Sequence, residues 1–187
     1  MASEPRWLTA ARTQIGMTEI KKRMHGMTDN PVIVDYWRRA KILKKDKVSY
    51  WEPGNDETPW CAAFIGAILA DVGLTGTGKA LARSYEKWGE AVMTGDKKMP
   101  WASIPLGAIV VLSRASAGPT KGHVGFASGA SEKFVRLIGG NQNDSVSEAW
   151  FPKTRIVGVR WPAGEPSSDY LLWEKVPAKA GRGARTA

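Results

Sequence analysis

Cysteine is almost absent from this chain, which has one thiol, at Cys61, in 187 residues. A single cysteine excludes an intramolecular disulfide, so the fold needs no oxidising compartment and can be held in a reducing cytosol. Histidine is nearly as scarce, with only His25 and His123. One cysteine and two histidines without ligand spacing make no recognisable zinc site, and neither a metal nor a cofactor is expected. No apolar run approaches the roughly 20 residues of a membrane span, so no transmembrane segment is expected. The start, Met1-Ala2-Ser3-Glu4-Pro5-Arg6-Trp7, lacks the charged start, apolar core and small-residue cleavage site of a secretory signal. Internal repeats, zinc-finger spacing and an aromatic RNA-binding signature are missing too, which argues against a specific nucleic-acid reader.

Acidic residues are outnumbered, 18 against 27 basic ones, for a net charge of +9. The excess is concentrated in Lys21, Lys22 and Arg23, in Arg38, Arg39, Lys41, Lys44, Lys45 and Lys47, and in Lys97 and Lys98. Individual lysines of this kind read as a solvated face, but the total predicts attraction to polyanions such as the anionic polymers of a cell envelope. With 43% hydrophobic residues the chain can core one domain, not two of ordinary size. The domain is expected over 1–162. A linker and basic tail follow over 163–187, with Tyr170-Leu171-Leu172-Trp173 as an apolar interruption. A monomer is expected.

What is present centres on the thiol. In Asp56-Glu57-Thr58-Pro59-Trp60-Cys61-Ala62-Ala63-Phe64-Ile65, Thr58 is a competent N-cap and Pro59 suits a first turn. Cys61 then falls where unpaired helix amides favour a thiolate. A nucleophilic cysteine needs a lowered pKa and a nearby base, and Gly122-His123-Val124-Gly125-Phe126 offers an imidazole at the start of a strand. The β-rich runs 122–128 and 134–140 read as a hairpin. Reflection about Ser131 places position 139 opposite His123, and Asn141 two residues on, as a diagonal neighbour on the same face. The roles that follow are Cys61 as nucleophile, His123 as general base and then acid, and Asn141 as the group holding the ring's tautomer. The Cys61 amide would be one oxyanion donor. Each piece has a plainer reading, as buried small hydrophobe, strand-end histidine and turn; the conjunction favours chemistry.

Around the thiol, helical spacing marks Pro5 to Gly16, with Trp7, Leu8, Ala11 and Ile15 on one side. Asn30-Pro31 opens a second helix with Ile33, Val34, Trp37 and Ala40 inward. The cysteine helix over 61–72 is apolar all round, Gly73 caps it, and 80–93 reads as another helix. Strands are expected over 108–113, 123–128, 134–138, 145–151 and 155–161. Helices first and strands afterwards read as α+β, with the cysteine helix packed on an antiparallel sheet of about five strands. Trp60, Trp51, Trp101 and Trp150 read as core or rim packing before cleft walls, and His25 as a solvated bystander.

The order Cys, His, Asn, with Pro59-Trp60-Cys61-Ala62-Ala63-Phe64 on a helix, resembles the NlpC-type and CHAP (cysteine, histidine-dependent amidohydrolase/peptidase) enzymes that cut peptidoglycan. The stretch Asp56 to Cys61, Gly76-Thr77-Gly78-Lys79-Ala80-Leu81-Ala82-Arg83-Ser84, Pro105-Leu106-Gly107-Ala108-Ile109-Val110-Val111 and Gly139-Gly140-Asn141-Gln142 resemble a phage and prophage branch of that group. The likeness runs from about Trp7 to Pro162. It implies a papain-like fold and hydrolysis of an amide bond in bacterial cell-wall peptides through a Cys61 thioester. It also implies a lysis enzyme made in the host cytoplasm and acting on the wall after release. A toxin or wall-remodelling amidase, a papain-like protease and an envelope-binding module without turnover are the alternatives.

Overall fold

The apolar segment 61–69 decides the architecture, because a helix without a polar face must be covered on every side. The structure, a computed structural model, describes residues 4–20, 28–43, 54–92, 103–114 and 121–166. Helix α1 spans Arg6–Thr13, α2 Pro31–Arg39 and α3 Cys61–Asp71, and every residue of α3 from Cys61 to Leu69 is buried. On one side α3 meets α1 and α2; on the other it lies on the sheet, with Phe64 edge-on to Phe126 at 6.3 Å between ring centres. The Asn30 side chain accepts from the Val32 amide at 2.9 Å and Pro31 follows as first helical residue, the expected cap for α2. Gly73, at φ +78°, ends α3.

Six antiparallel strands form the sheet: β1 (Glu90–Ala91), β2 (Ile109–Ser113), β3 (Gly122–Ala130), β4 (Phe134–Gly139), β5 (Ser147–Pro152) and β6 (Ile156–Trp161), in the order β1-β6-β2-β3-β4-β5. The five expected strands are present and a sixth joins them, so the class is α+β. The sixth corrects the sequence reading of 80–93. Only a 3-10 turn forms, Ala82–Lys87, and Glu90 and Ala91 then pair with Trp161 and Arg160. Gly89, at φ +56°, lets the backbone pass against the Trp161 carbonyl, and this pairing with β6 overrides the local helical spacing. Helix α1 is also shorter than its pattern, and Ile15, beyond its end, is 43% exposed.

The connection from β5 to β6 fixes the sheet's shape. From Pro152 to Ile156 the chain takes four steps, at most about 14 Å. In a flat sheet the two strands would stand four spacings apart, about 19 Å. The sheet must therefore curl, giving an outer face under α3 and an inner face on which His123 and Phe151 meet, ring centres 5.4 Å apart.

Candidate functional site

Cys61 is the first residue of α3, with Trp60 at the cap position. Thr58 does not cap the helix as expected. Its amide donates to Asn55 Oδ1 at 2.7 Å, which closes a turn over 55–58 and delays the helix until Cys61. Asp56 in that turn is fully buried, and its Oδ2 accepts from the Ile20 and Asn30 amides, each at 2.9 Å. It ties three loops together behind the nucleophile helix. The Trp60 ring is core, as the plainer reading had it, and its Nε1 donates to Glu19 Oε1 at 2.8 Å.

The Cys61 sulfur lies against backbone amides: that of Val124 on β3, that of Ala62 and its own. These amides and the nearby Arg114 charge favour a thiolate, but burial outweighs them and pushes the thiol up to about 11. The lowered value expected from helix entry is thus overturned by desolvation.

His123 is fully buried and its Nε2 lies 2.9 Å from Gln142 Oε1. The Gln142 amide is oriented independently, because its Nε2 donates to the Ser147 carbonyl at 2.6 Å and to the Leu137 carbonyl at 3.4 Å. Its oxygen therefore faces the imidazole, which must donate through Nε2–H. In the neutral ring this leaves a lone pair on Nδ1, which has no hydrogen-bond partner. Burial, with the Arg155 and Arg114 charges adding to it, lowers the imidazole to about 4 against the support of Gln142.

Asn141 does not hold the ring. Its Nδ2 donates to Glu19 Oε1 at 2.9 Å, so one carboxylate oxygen joins Asn141 to the Trp60 indole beside the nucleophile. The reason is where the strand ends, not its register. Phe126 pairs with Ile138 and Ala127 with Leu137, a reflection centred one residue beyond Ser131, with a bulge between Ala127 and Gly129. Extended further, that register would set position 141 directly opposite His123. The strand instead ends at Gly139, and Asn141 turns at φ +57°, which carries its side chain away and brings in Gln142. Gly139-Gly140 is more than a turn signal. A Cβ on Gly139 would stand 2.8 Å from Gln142 Oε1 and 3.0 Å from His123 Nε2, and one on Gly140 would collide with Trp60 and Phe64.

Cys61 and His123 are brought to the same strand end, but no hydrogen bond joins sulfur and imidazole. Phe126 faces α3, and strand alternation puts His123 on the other, concave face. The backbone of β3 therefore stands between the thiol, which meets the Val124 amide, and the ring. Gln142, Glu19, Phe151, Arg114 and Arg155 were missed in the sequence. Only Gln142 carried a signal, as the last residue of Gly139-Gly140-Asn141-Gln142, and the others are set by tertiary packing.

Trp150 is at the rim with the Arg136 guanidinium 5.4 Å from its ring centre, while Trp51, Trp101, His25 and the tail beyond Pro166 lie outside the described residues. So do Lys21, Lys22, Arg23, Lys44, Lys45, Lys47, Lys97 and Lys98 of the basic excess. Among the described residues no three His, Cys, Asp or Glu side chains gather as metal ligands, and no helix is long and apolar enough to cross a membrane. Comparison of the chain with family models, with curated proteins and with solved structures returns no match.

Proposed function

We propose that the chain is a papain-like cysteine hydrolase of the NlpC and CHAP type that cleaves an amide bond in bacterial peptidoglycan, as a phage or prophage lysis enzyme. One observation carries the reading. The only thiol opens a buried helix against the amide of Val124, and the next residue back is an imidazole with Nε2–H fixed by Gln142 and a lone pair on Nδ1. That is the tautomer a general base needs.

With the thiol up at about 11 and the imidazole down at about 4, the resting pair is neutral. Attack then couples proton transfer to bond formation. Nδ1 takes the thiol proton as sulfur adds to the amide carbon, and the developing oxyanion meets the Cys61 amide at the helix start. The imidazolium returns the proton to the leaving amine, and water, activated by the same nitrogen, hydrolyses the thioester. Thiol and ring rest on opposite faces of β3, so this step requires substrate binding to shift the start of β3 and bring Nδ1 within hydrogen-bond reach of the sulfur.

The test is release of soluble fragments from purified peptidoglycan, with Cys61→Ala and His123→Ala as controls and casein as the competing substrate. Fragment release lost in both variants, with casein untouched, supports the reading; undiminished release by Cys61→Ala removes it. The missing sulfur–imidazole bond favours a second reading, an envelope-binding module without turnover. That module would sediment with peptidoglycan and leave it intact.

A further inference from the structure

Six arginines of the described residues have a carboxylate beside them: Arg6, Arg12, Arg38, Arg39, Arg83 and Arg136. Arg114 and Arg155 are different. Like Arg160, which donates to the Glu86 carbonyl, neither has an ion pair among the described residues, but these two stand at the end of the sheet that carries His123. Arg155 leads into β6, its Nε donates to the Ser113 carbonyl at 3.0 Å, and its guanidinium lies 5.5 Å from the Phe151 ring centre. Phe151 in turn packs on His123. Arg114 follows the last residue of β2, with its amide on the Lys121 carbonyl at 3.2 Å, and alternation from Leu112, the partner of His123, places it on the imidazole's face.

The Arg114 charge reaches Cys61, His123 and Arg155, and Arg155 also reaches His123. Two like charges, one of them half buried and held below its ordinary value by burial and by the other, repel each other and work against the imidazolium that catalysis forms. A bound anion would reverse both effects. Arginine's planar fork suits a carboxylate, and among the described residues the one hydrogen bond of the Arg155 guanidinium is that of Nε to Ser113.

We propose that Arg114 and Arg155 form an anion subsite beside Cys61 and His123 that takes a free carboxylate of a peptide substrate, next to the amide to be cut. This rests on the hydrolase reading for its substrate class, while the subsite can be tested apart from wall cleavage. Iodoacetate and iodoacetamide each alkylate a thiolate by forming an S–C bond and expelling iodide, and they differ in charge. The ratio of their rates at Cys61 cancels the thiolate fraction and reports attraction for the anion.

On the full chain, the iodoacetate to iodoacetamide ratio should exceed that of free cysteine. Arg114→Gln and Arg155→Gln should each lower it by about three- to tenfold at low salt, and Arg155→Lys should keep most of it. A ratio equal to that of free cysteine, a ratio unmoved in both glutamine variants, or no alkylation of Cys61 by either reagent overturns the subsite. Two variants at separate positions guard against one that misfolds, which circular dichroism identifies. A chain with the anion preference that leaves peptidoglycan intact keeps the subsite and loses the hydrolase. A chain that cuts the wall with an unchanged ratio does the reverse.

Discussion

Gln142 is where one side chain carries most of the site's order. It accepts from the imidazole and donates to two carbonyls, so its removal strands a buried ring nitrogen and frees Ser147 and Leu137 oxygens. Gln142→Leu should cost about 1–3 kcal/mol of stability and abolish fragment release, while Asn141→Ala, which loses the Glu19 contact, should reduce release less. Urea midpoints and turnover on the two variants check the order; a larger loss for Asn141→Ala would return the orienting role to it. His123 also makes stability depend on pH. Its folded value, about 4, lies below its unfolded value near 6.5, so the contribution is complete above pH 6.5 and is lost as pH falls through 4. The gap corresponds to about 3 kcal/mol. Urea unfolding between pH 7 and 4 should show this loss in the wild type and a much flatter profile in His123→Leu.

At the scale of elements, α3 and β4 approach so closely that Gly140 has no room for a side chain. Gly140→Ala should push on the Trp60 ring and on Phe64 and cost about 1–3 kcal/mol. Because Trp60 precedes Cys61, fragment release should fall even at a temperature where the variant is fully folded. Melting curves and initial rates taken together would detect this, and a variant with normal rates would show that the strand and helix can part without moving the thiol. Elements are also where the sequence was most legible. The uninterrupted apolar run marks α3, the Asn30-Pro31 pair marks α2, and five β-rich runs separated by turn residues mark five strands. Position 80–93 was not legible, since the pairing of Glu90 with Trp161 spans 71 positions and leaves no local trace. The mirror point one residue beyond Ser131 was equally silent, and so was the turn at Asn141 past the end of β4, which gives the contact with the imidazole to Gln142. In the site, residue identities were readable from local motifs, whereas orientation, burial and protonation depended on neighbours far along the chain.

For the molecule as a whole, charge is the long-range property that acts on a partner before any side chain fits. A net +9 predicts that retention on peptidoglycan carrying anionic polymers weakens as salt rises. Between 50 and 500 mM sodium chloride, co-sedimentation of Cys61→Ala with such walls should fall severalfold, and walls stripped of their anionic polymers should show little salt dependence. Equal salt sensitivity on both would assign the attraction to the peptide itself.

Glu19 lies in a short stretch, 16–19, that joins the fold through backbone bonds to Asp144 and Val146, a bridge from Thr18 to Ser145 and the Asn30 side-chain amide on the Thr18 carbonyl. From there its single oxygen steadies both the indole ahead of the thiol and the loop behind the imidazole. An irregular stretch at the edge of the fold opens more readily than a buried helix. Warming should therefore unlatch this stretch first, with amides 16–19 exchanging their hydrogens well before those of 64–69. Chemistry would fade while the body of the protein is still intact, giving inactivation a lower midpoint than melting.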